Sequence, residues 1–276
     1  MRIDLHVHHR PNVTSTGADM VRNMNAAGID KAVVLTEAPN VVVNGRLMSP
    51  TERIQRTMDF IGEEKDALLP FYFINPTEQD AVQQVDLAVE MGCVGFKIIC
   101  RDHMPNDPRA IPTYYKIASV NKPLLFHSGI LYDGNNASGN YNRPCNFEVL
   151  LSIPKLRFAL AHISWPWTDE CIAVFGKFQN YLSKAGSANA PEMFVDTTPG
   201  TPPRYRRDAL AKLLDMHNAQ DQIIWGTDCN TDYSTDYAQS IRTRDEGIYQ
   251  ELGLGKEFLD KLYYKNFMRF LTGKAD

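Results

Sequence analysis

Short apolar runs, rich in residues that favour strands, recur eight times along the chain. Most of them are continuously apolar rather than alternating, which is typical of strands that are covered on both faces. The predicted strands are, in order, Arg2–Val7, Lys31–Thr36, Leu69–Asn75, Cys93–Ile99, Pro123–His127, Leu156–His162, Met193–Thr197 and Gln222–Thr227.

Helical patterns separate these runs. In Gln79–Met91 three valines recur on one face, and Gly92, a residue suited to a helix C-terminus, follows. Ser49 and Glu52 have the spacing of a capping box at the start of another helix. The predicted helices are Asp19–Ala27, Pro50–Lys65, Gln79–Met91, Pro108–Ser119, Phe147–Ser152, Thr168–Lys184, Pro202–His217 and Asp236–Leu252, followed by the amphipathic tail Lys256–Leu271.

The alternation of strands and helices indicates a parallel sheet with helical crossovers. Eight such units in about 250 residues are typical of an α/β fold of the (β/α)8 TIM-barrel type. We predict a single domain of this kind over residues 1–276, with the tail as an extra C-terminal helix that packs on the outer wall or closes one end. A doubly wound open sheet is the alternative, but it rarely needs eight strands, and the first strand lacks a glycine-rich phosphate turn.

Composition and charge exclude several classes of protein. With 43% hydrophobic and 22% charged residues, the chain is typical of globular proteins. A net charge of −4 provides no basic field for nucleic acid or acidic lipid. We find no run of about 18 apolar residues for a transmembrane helix and no signal-peptide core near the N-terminus.

The five cysteines include no CxxC pair, which favours reduced thiols in a cytoplasmic protein over a disulfide framework. We therefore expect a small-molecule substrate and neither a nucleic-acid partner nor a membrane partner. Homo-oligomers are common among barrels of this kind, and the sequence does not determine their number.

Candidate chemistry lies at the C-terminal ends of the predicted strands, where TIM barrels place their reactive groups. His6 and His8 are two residues apart in a strand, so both rings point to the same side, which in a barrel is the interior. His127 and His162 end the fifth and sixth strands, and Asp228 follows the eighth. Buried imidazoles need polar partners, and a cation supplies one. These five residues therefore predict a metal site at the barrel mouth.

The same pattern resembles the amidohydrolase superfamily, with HxH on the first strand, His on the fifth and sixth, and Asp on the eighth. The segments DLHVHH, VGFKI, LLFHSG, LAHISWPW and IIWGTD are similar to the amidohydrolase-2 (amidohydrolase-related) branch, which holds aminocarboxymuconate-semialdehyde decarboxylase-like enzymes. The terminal YYKNFMRFL also resembles the closing helix of this branch. The resemblance spans the whole chain and is specific for the superfamily, not for a substrate.

The resemblance implies one divalent ion held by His6, His8, His127 and Asp228, with water in an open position. Three nitrogens and one oxygen fit Zn²⁺ best, with Mn²⁺, Co²⁺ or Fe²⁺ as alternatives. The catalytic residues would be Asp228, which accepts a proton from the water, and His162, which orients or deprotonates the water or polarises the substrate. In the binuclear branch, His162 would instead be a ligand of a second metal.

Lys97, on the fourth predicted strand, is a candidate substrate-binding residue. Its ammonium suits a substrate carboxylate, or it pairs with Asp196 or Glu37. Binuclear amidohydrolases imply a different role, a carbamylated lysine that bridges two metals. The mononuclear interpretation is preferred because the most similar branch has no bridge.

Arg101 and Trp165 are the other candidates for substrate binding. Arg101 directly follows the fourth strand and suits a bidentate grip on a carboxylate; the alternative is pairing with Asp102 or Asp107. Trp165 and Trp167 follow the sixth strand, where each ring can form an apolar pocket wall or pack on the next helix.

The leading functional hypothesis is a metal-dependent hydrolase, in which metal-activated water attacks a C–O or C–N acyl centre of a small polar, carboxylate-bearing substrate. The enzymatic alternative is nonoxidative decarboxylation or hydration of an unsaturated carboxylic acid at the same site. A non-enzyme alternative is a metal-binding barrel without catalysis; Asp228 and His162 together argue against it, because storage needs no base beside the ion. A histidinol-phosphatase-like barrel would need more metal ligands than seven histidines provide.

Overall fold

The computed structural model describes residues 1–135, 137–186, 188–217 and 219–274. Within them, nine parallel strands form one curved sheet whose spatial order follows the chain, with the last strand beside the first. In chain order the strands are β1 (Ile3–His8), β2 (Lys31–Leu35), β3 (Val42–Val43), β4 (Arg46–Leu47), β5 (Leu68–Phe73), β6 (Gly95–Ile98), β7 (Leu124–Phe126), β8 (Arg157–Leu160), β9 (Glu192–Asp196), β10 (Ile223–Ile224) and β11 (Cys229–Asn230). Strands β3 and β4 form a separate antiparallel hairpin. The predicted TIM barrel is confirmed.

The eighth predicted strand closes the barrel in two short pieces. Strand β10 pairs with β9, whereas β11 pairs with β1. Between these pieces, the Leu5 amide donates to the Trp225 carbonyl at 3.1 Å. Asp228 has a φ of 60°, and a left-handed residue cannot continue an extended strand. The prediction of one continuous strand over Gln222–Thr227 is therefore corrected to two strands flanking a bend.

Helices cover the outside of the sheet. They are α1 (Gly17–Ala26), α2 (Pro50–Ile61), α3 (Ala81–Glu90), α4 (Ile111–Ser119), α5 (Ser138–Tyr141), α6 (Thr168–Ala185), α7 (Pro203–Asp215), α8 (Thr235–Glu251), α9 (Lys256–Asp260) and α10 (Asn266–Thr272), with 3₁₀ turns at Pro144–Ser152, Ala161–Ser164 and Ala219–Asp221 and a π turn at Lys261–Lys265. The capping box of Ser49 and Glu52 forms as predicted. Helix α2 ends at Ile61, earlier than predicted, because Gly62 turns the chain with a φ of 55°.

The C-terminal tail closes the N-terminal end of the barrel, one of the two predicted positions. Phe267 and Phe270 are fully buried in one apolar cluster with Leu5 and Phe194 from the strands. The guanidinium of Arg157 donates to the Phe270 carbonyl at 2.7 Å and so anchors the helix end to β8. The apolar layer at this end separates the polar mouth from the solvent below.

Strand β1 contains an irregularity that decides which side chains enter the barrel. Its register against β2 shifts between Asp4 and Val7. Leu5 packs in the interior cluster with Phe267, whereas Val7 packs in the outer cluster between strands and helices. The His6 amide donates a hydrogen bond to the Asp4 carboxylate at 3.0 Å. This bulge lets a polar interior begin directly after an apolar one.

In the part of the chain that the structure describes, none of the helices is long and apolar enough to cross a bilayer. All five cysteines are free thiols. Cys145 is exposed, and the other four are buried.

Candidate active site and metal centre

Three of the predicted metal ligands converge at the C-terminal mouth of the barrel. Asp228 Oδ1 lies 3.1 Å from His8 Nε2 and 3.6 Å from His6 Nε2. One possible ligand atom from each of the three residues lies within 4.8 Å of the others. Two imidazole nitrogens and a carboxylate oxygen are donors that Zn²⁺ prefers, so the residues fit such an ion.

The fourth predicted ligand, His127, lies on the wall of the same cavity, outside this group of three described residues. Its ring centroid is 5.0 Å from that of His162, which lies 5.4 Å from that of His6. His127 Nε2 donates to the Ile130 carbonyl at 3.3 Å. Because a carbonyl only accepts, Nδ1 is the nitrogen with a free lone pair. Ligation by His127 stays a prediction.

Asp196 determines which nitrogen of His6 is available. Its Oδ2 accepts a hydrogen bond from His6 Nδ1 at 2.9 Å, and both side chains are buried. The proton therefore resides on Nδ1, and Nε2 keeps the lone pair on the side of Asp228. Burial lowers the pKa of His6 well below its usual value and also lowers the pKa of His8. A lowered pKa favours the neutral form of each ring, which is the form that ligates a metal.

Asp228 provides the negative charge of the group. Burial raises its pKa, but the imidazoles of His6, His8 and His162 outweigh this effect and leave the pKa well below the usual range. The side chain is about one-third exposed, at 31%, toward the cavity. An ionised carboxylate at this position can ligate a cation through one oxygen and accept a proton at the other.

The backbone that carries His162 is strained. His162, Ile163 and Ser164 have φ values of 64°, 50° and 54°. Left-handed conformations cost L-residues roughly 1–2 kcal/mol each, most for a β-branched side chain such as isoleucine. Such strain persists where surrounding contacts enforce it, and it often marks functional sites.

The segment after β9 supplies those contacts. Thr198 Oγ1 lies 2.9 Å from His162 Nδ1, and Thr201 Oγ1 donates to the His162 carbonyl at 3.0 Å. A Cβ at Gly200 would lie only 2.6 Å from the Cβ of His162, so glycine permits this close approach. The loop therefore holds both the ring and the backbone of His162.

Lys97 is fully buried, with its Nζ 3.3 Å from His6 Nε2. Burial lowers the pKa of Lys97 to about 8, although Asp196 and Asp228 act in the opposite direction. Glu37, one of the two carboxylates predicted as an alternative partner of Lys97, instead accepts a hydrogen bond from Arg56 Nε at 3.1 Å. The ammonium donates to the lone pair that a metal would use, so a metal at His6 requires this side chain to turn aside or lose its proton.

A cavity of about 410 Å³ opens above this group. Arg10, Lys97, Arg101 and Trp165 lie on its wall, together with the histidines and Asp228. The Nε of Arg10 donates to Asn230 Oδ1 at 2.8 Å, which holds this guanidinium near the mouth. Cationic side chains thus outnumber carboxylates around the cavity, which favours an anionic ligand.

Arg101 faces the cavity rather than the two carboxylates considered as alternatives. Asp102 pairs with His103 at 2.9 Å, and Asp107 pairs with Arg109 at 2.6 Å. The carboxylate of Asp133 lies near Arg101, with its Oδ2 4.0 Å from Nη1. The guanidinium is therefore only weakly paired among the described residues.

The two tryptophans after β8 have different roles. Trp165 lies on the cavity wall and stacks on Tyr205, with ring centroids 6.3 Å apart. Trp167 lies in a neighbouring surface cleft, with the guanidinium of Arg143 5.2 Å from its ring centroid. Of the two tryptophans, Trp165 is the one that lines the cavity beside the histidines.

Asp4 is a residue of the site that the sequence analysis did not identify. It is fully buried and accepts hydrogen bonds from the Thr227 amide at 2.9 Å and the Tyr233 hydroxyl at 2.9 Å, besides that from His6. Burial raises the pKa of Asp4 to about 6, despite these hydrogen bonds. An acidic residue inside a predicted buried strand is the signal that would have singled it out, since such a carboxylate needs partners.

Comparison with known proteins places the chain among the amidohydrolases. The sequence profile described as Amidohydrolase matches residues 3–272. The chain therefore belongs to the amidohydrolase family, as the strand-end pattern indicated. Among curated proteins, none matches the sequence significantly.

Solved structures share the fold at low sequence identity. A zinc-bound amidohydrolase from Burkholderia multivorans has 9% identity and a TM-score of 0.68, covering 98% of this chain and 99% of that one. 4-Oxalomesaconate hydratase from Rhodopseudomonas palustris has 13% identity and a TM-score of 0.65, covering 98% and 95%. A probable 2-pyrone-4,6-dicarboxylic acid hydrolase from Acinetobacter baumannii has 13% identity and a TM-score of 0.61, covering 99% of both chains.

Proposed function

We propose that the protein is a metal-dependent hydrolase that acts through a metal-activated water on a small polar, carboxylate-bearing substrate. The observation that carries the proposal is the convergence of His6, His8 and Asp228 near His162 in one cavity. Family membership and the zinc-bound relative support it. His127 completes the proposed ligand set, and Zn²⁺ is the proposed ion, with Mn²⁺, Co²⁺ or Fe²⁺ as alternatives.

Bound Zn²⁺ would supply a polarised water whose pKa falls from ~15.7 toward ~7. Asp228 would hold the ion through one carboxylate oxygen, and its second oxygen would be available to accept a proton. The His162 ring, held at Nδ1 by Thr198, presents Nε2 for proton transfer to or from the substrate. Asp196 keeps His6 in the tautomer that leaves Nε2 free to ligate.

The cationic side chains on the cavity wall are the reason for proposing a carboxylate-bearing substrate. Arg101 grips a carboxylate through its guanidinium, because its pairing within the chain is weak. Lys97, once its side chain has turned aside from His6 Nε2, adds a positive charge beside the reacting centre, and Trp165 forms an apolar wall against the rest of the substrate.

The second candidate function is decarboxylation or hydration of an unsaturated carboxylic acid at the same site. The similarity of fold to a hydratase favours keeping it. In this version His162 would supply a proton to a carbon atom of the substrate, either as CO₂ leaves that carbon or as water adds its hydroxyl group across the double bond, and the same cationic groups would hold a carboxylate. Product analysis for each substrate separates the two functions, because hydrolysis opens a lactone to a hydroxy acid or splits an amide into an acid and an amine, whereas the second function releases CO₂ from an unsaturated acid or adds water across its double bond.

The decisive experiment combines metal analysis of the purified protein with a panel of small lactones, amides and unsaturated acids. We expect about one divalent ion per chain, as in mononuclear catalytic sites, and turnover of a carboxylate-bearing lactone or amide. About two ions per chain would favour the binuclear alternative with a carbamylated Lys97. Stoichiometric metal without turnover of any substrate class would favour the non-catalytic, metal-binding barrel.

A further inference from the structure

A buried ion pair lies behind the candidate site, between helices α7 and α8. Arg206 and Asp245 are both fully buried, and the Arg206 Nε and one terminal nitrogen each lie 2.6 Å from a carboxylate oxygen of Asp245. Removing two charges from water is costly, and apolar replacements of such pairs are often no less stable. Stability alone is therefore a weak reason for this pair to exist.

The same guanidinium also reaches the barrel. A terminal nitrogen of Arg206 donates to the backbone carbonyl of Thr197, directly after β9. From the other side, the Thr197 amide donates to the Ile224 carbonyl at 2.8 Å. The peptide backbone at Thr197 is thus fixed from the neighbouring strand and from the helical layer at once.

The residues that flank Thr197 hold the two central imidazoles. Asp196 accepts from His6 Nδ1, and Thr198 Oγ1 lies 2.9 Å from His162 Nδ1. The Thr198 amide also donates to Asp196 Oδ1 at 2.7 Å, which couples the two side chains. A shift of the backbone at Thr197 would therefore move both contacts together.

We propose that Arg206, oriented by Asp245, is a positioning residue that sets the orientation of His6 and His162 through the Thr197 carbonyl. It touches neither the cavity nor the reacting atoms, so its effect passes entirely through Asp196 and Thr198. The proposal rests on the proposed function only where metal affinity is the readout; the orientation of the imidazoles can be measured without metal or substrate.

The test uses the double variant Arg206→Met with Asp245→Leu, which removes both charges and leaves no buried ion unpaired. Arg244, the other partner of Asp245, is 30% exposed and can reach water. We expect a folded protein in which the ¹⁵N imidazole signals of His6 and His162 shift in the metal-free state. Its Zn²⁺ affinity, measured by chelator competition, should fall by about 10- to 100-fold, as when groups behind metal ligands are lost.

The matched control is the surface pair Arg207 and Glu251, which joins the same two helices with an Nε to Oε2 distance of 2.9 Å. Arg207→Met with Glu251→Leu should leave the imidazole signals and the Zn²⁺ affinity unchanged. If the buried double variant does not fold, Arg206→Lys replaces it, because lysine keeps the charge for Asp245 but lacks the fork that also reaches Thr197. It should shift the same signals.

A folded buried variant with wild-type imidazole signals would overturn the proposal, whatever its activity. A wild-type protein that binds no Zn²⁺ would instead overturn the proposed function and leave the metal-free imidazole comparison to decide the role of Arg206. The two failures are therefore distinguishable.

Discussion

The two ends of this barrel are built from the same strands but filled with opposite chemistry. The N-terminal end is packed with apolar side chains, among them Leu5, Phe194 and Phe270. The C-terminal end buries His6, Lys97, His127 and His162. Apolar packing at one end stabilises the fold and so offsets the free-energy cost of burying polar groups at the other end.

The largest expected effect at the mouth is the loss of metal and activity in His6→Ala. This change removes the ligand nitrogen that Asp196 orients, while the apolar end stays intact, so the folded state should persist. Metal analysis should find less than ~0.2 ion per chain, against about one in wild type. As a control for folding, the circular dichroism spectrum and melting temperature of the variant should be close to those of chelator-treated wild type. Near-stoichiometric metal in this variant would remove His6 from the ligand set.

The next largest effect tests whether His162 at the barrel mouth transfers a proton or ligates the metal. His162→Asn should keep metal near the wild-type level and lower the rate by ~10²–10⁴-fold, the usual contribution of a positioned acid or base. Asp228→Asn is the contrasting variant, because it should lose metal and rate together. If metal in His162→Asn falls in step with activity, His162 is a ligand.

At the opposite end, Phe270→Ala should destabilise the fold and spare the chemistry. Phe270 is fully buried against Phe194, with ring centroids 5.2 Å apart, and truncation of such a residue costs about 3–5 kcal/mol. Denaturant titration measures this loss. Phe270→Leu, which keeps most of the volume, should lose much less. A marked change in Zn²⁺ affinity of the folded Phe270→Ala protein would show that the two ends are not independent.

The smallest effect tests the substrate-binding wall. Arg101→Gln should raise KM by about 10- to 100-fold for a carboxylate-bearing substrate, the worth of a hydrogen bond to a charged group, and leave metal content unchanged. Arg109→Gln is the matched control from the same connection, since Arg109 is paired with Asp107. Equal KM values in both variants would mean that Arg101 does not hold the carboxylate.

Much of this architecture could be predicted from the chain alone, because continuous apolar runs and helical periodicity are local properties. The rule that TIM barrels place reactive groups at strand ends also predicts His6, His8 and Asp228 as site residues, and in the structure the three converge. The break of the eighth strand at Asp228 was missed, because a φ of 60° at a non-glycine residue leaves no signature in the sequence. The role of Arg206 was missed because the pattern of apolar and polar residues does not show that this side chain is buried, that it turns back to the Thr197 carbonyl after β9, or that it pairs with Asp245 on the next helix.

The sequence by itself determined the barrel class and the candidate donor set, since residue type and spacing along strands suffice for these, and its resemblance to known amidohydrolases indicated the family. Only the tertiary structure decided where the inward-facing side chains of β1 change from apolar to polar. Strict alternation would place either Leu5 or His6 in the barrel, yet the register shift between Asp4 and Val7 admits both. The physical reason is that a bulge forms where β1 meets β2 and Asp4 can bond the His6 amide. That pairing is set by contacts between strands, which a one-dimensional pattern does not contain.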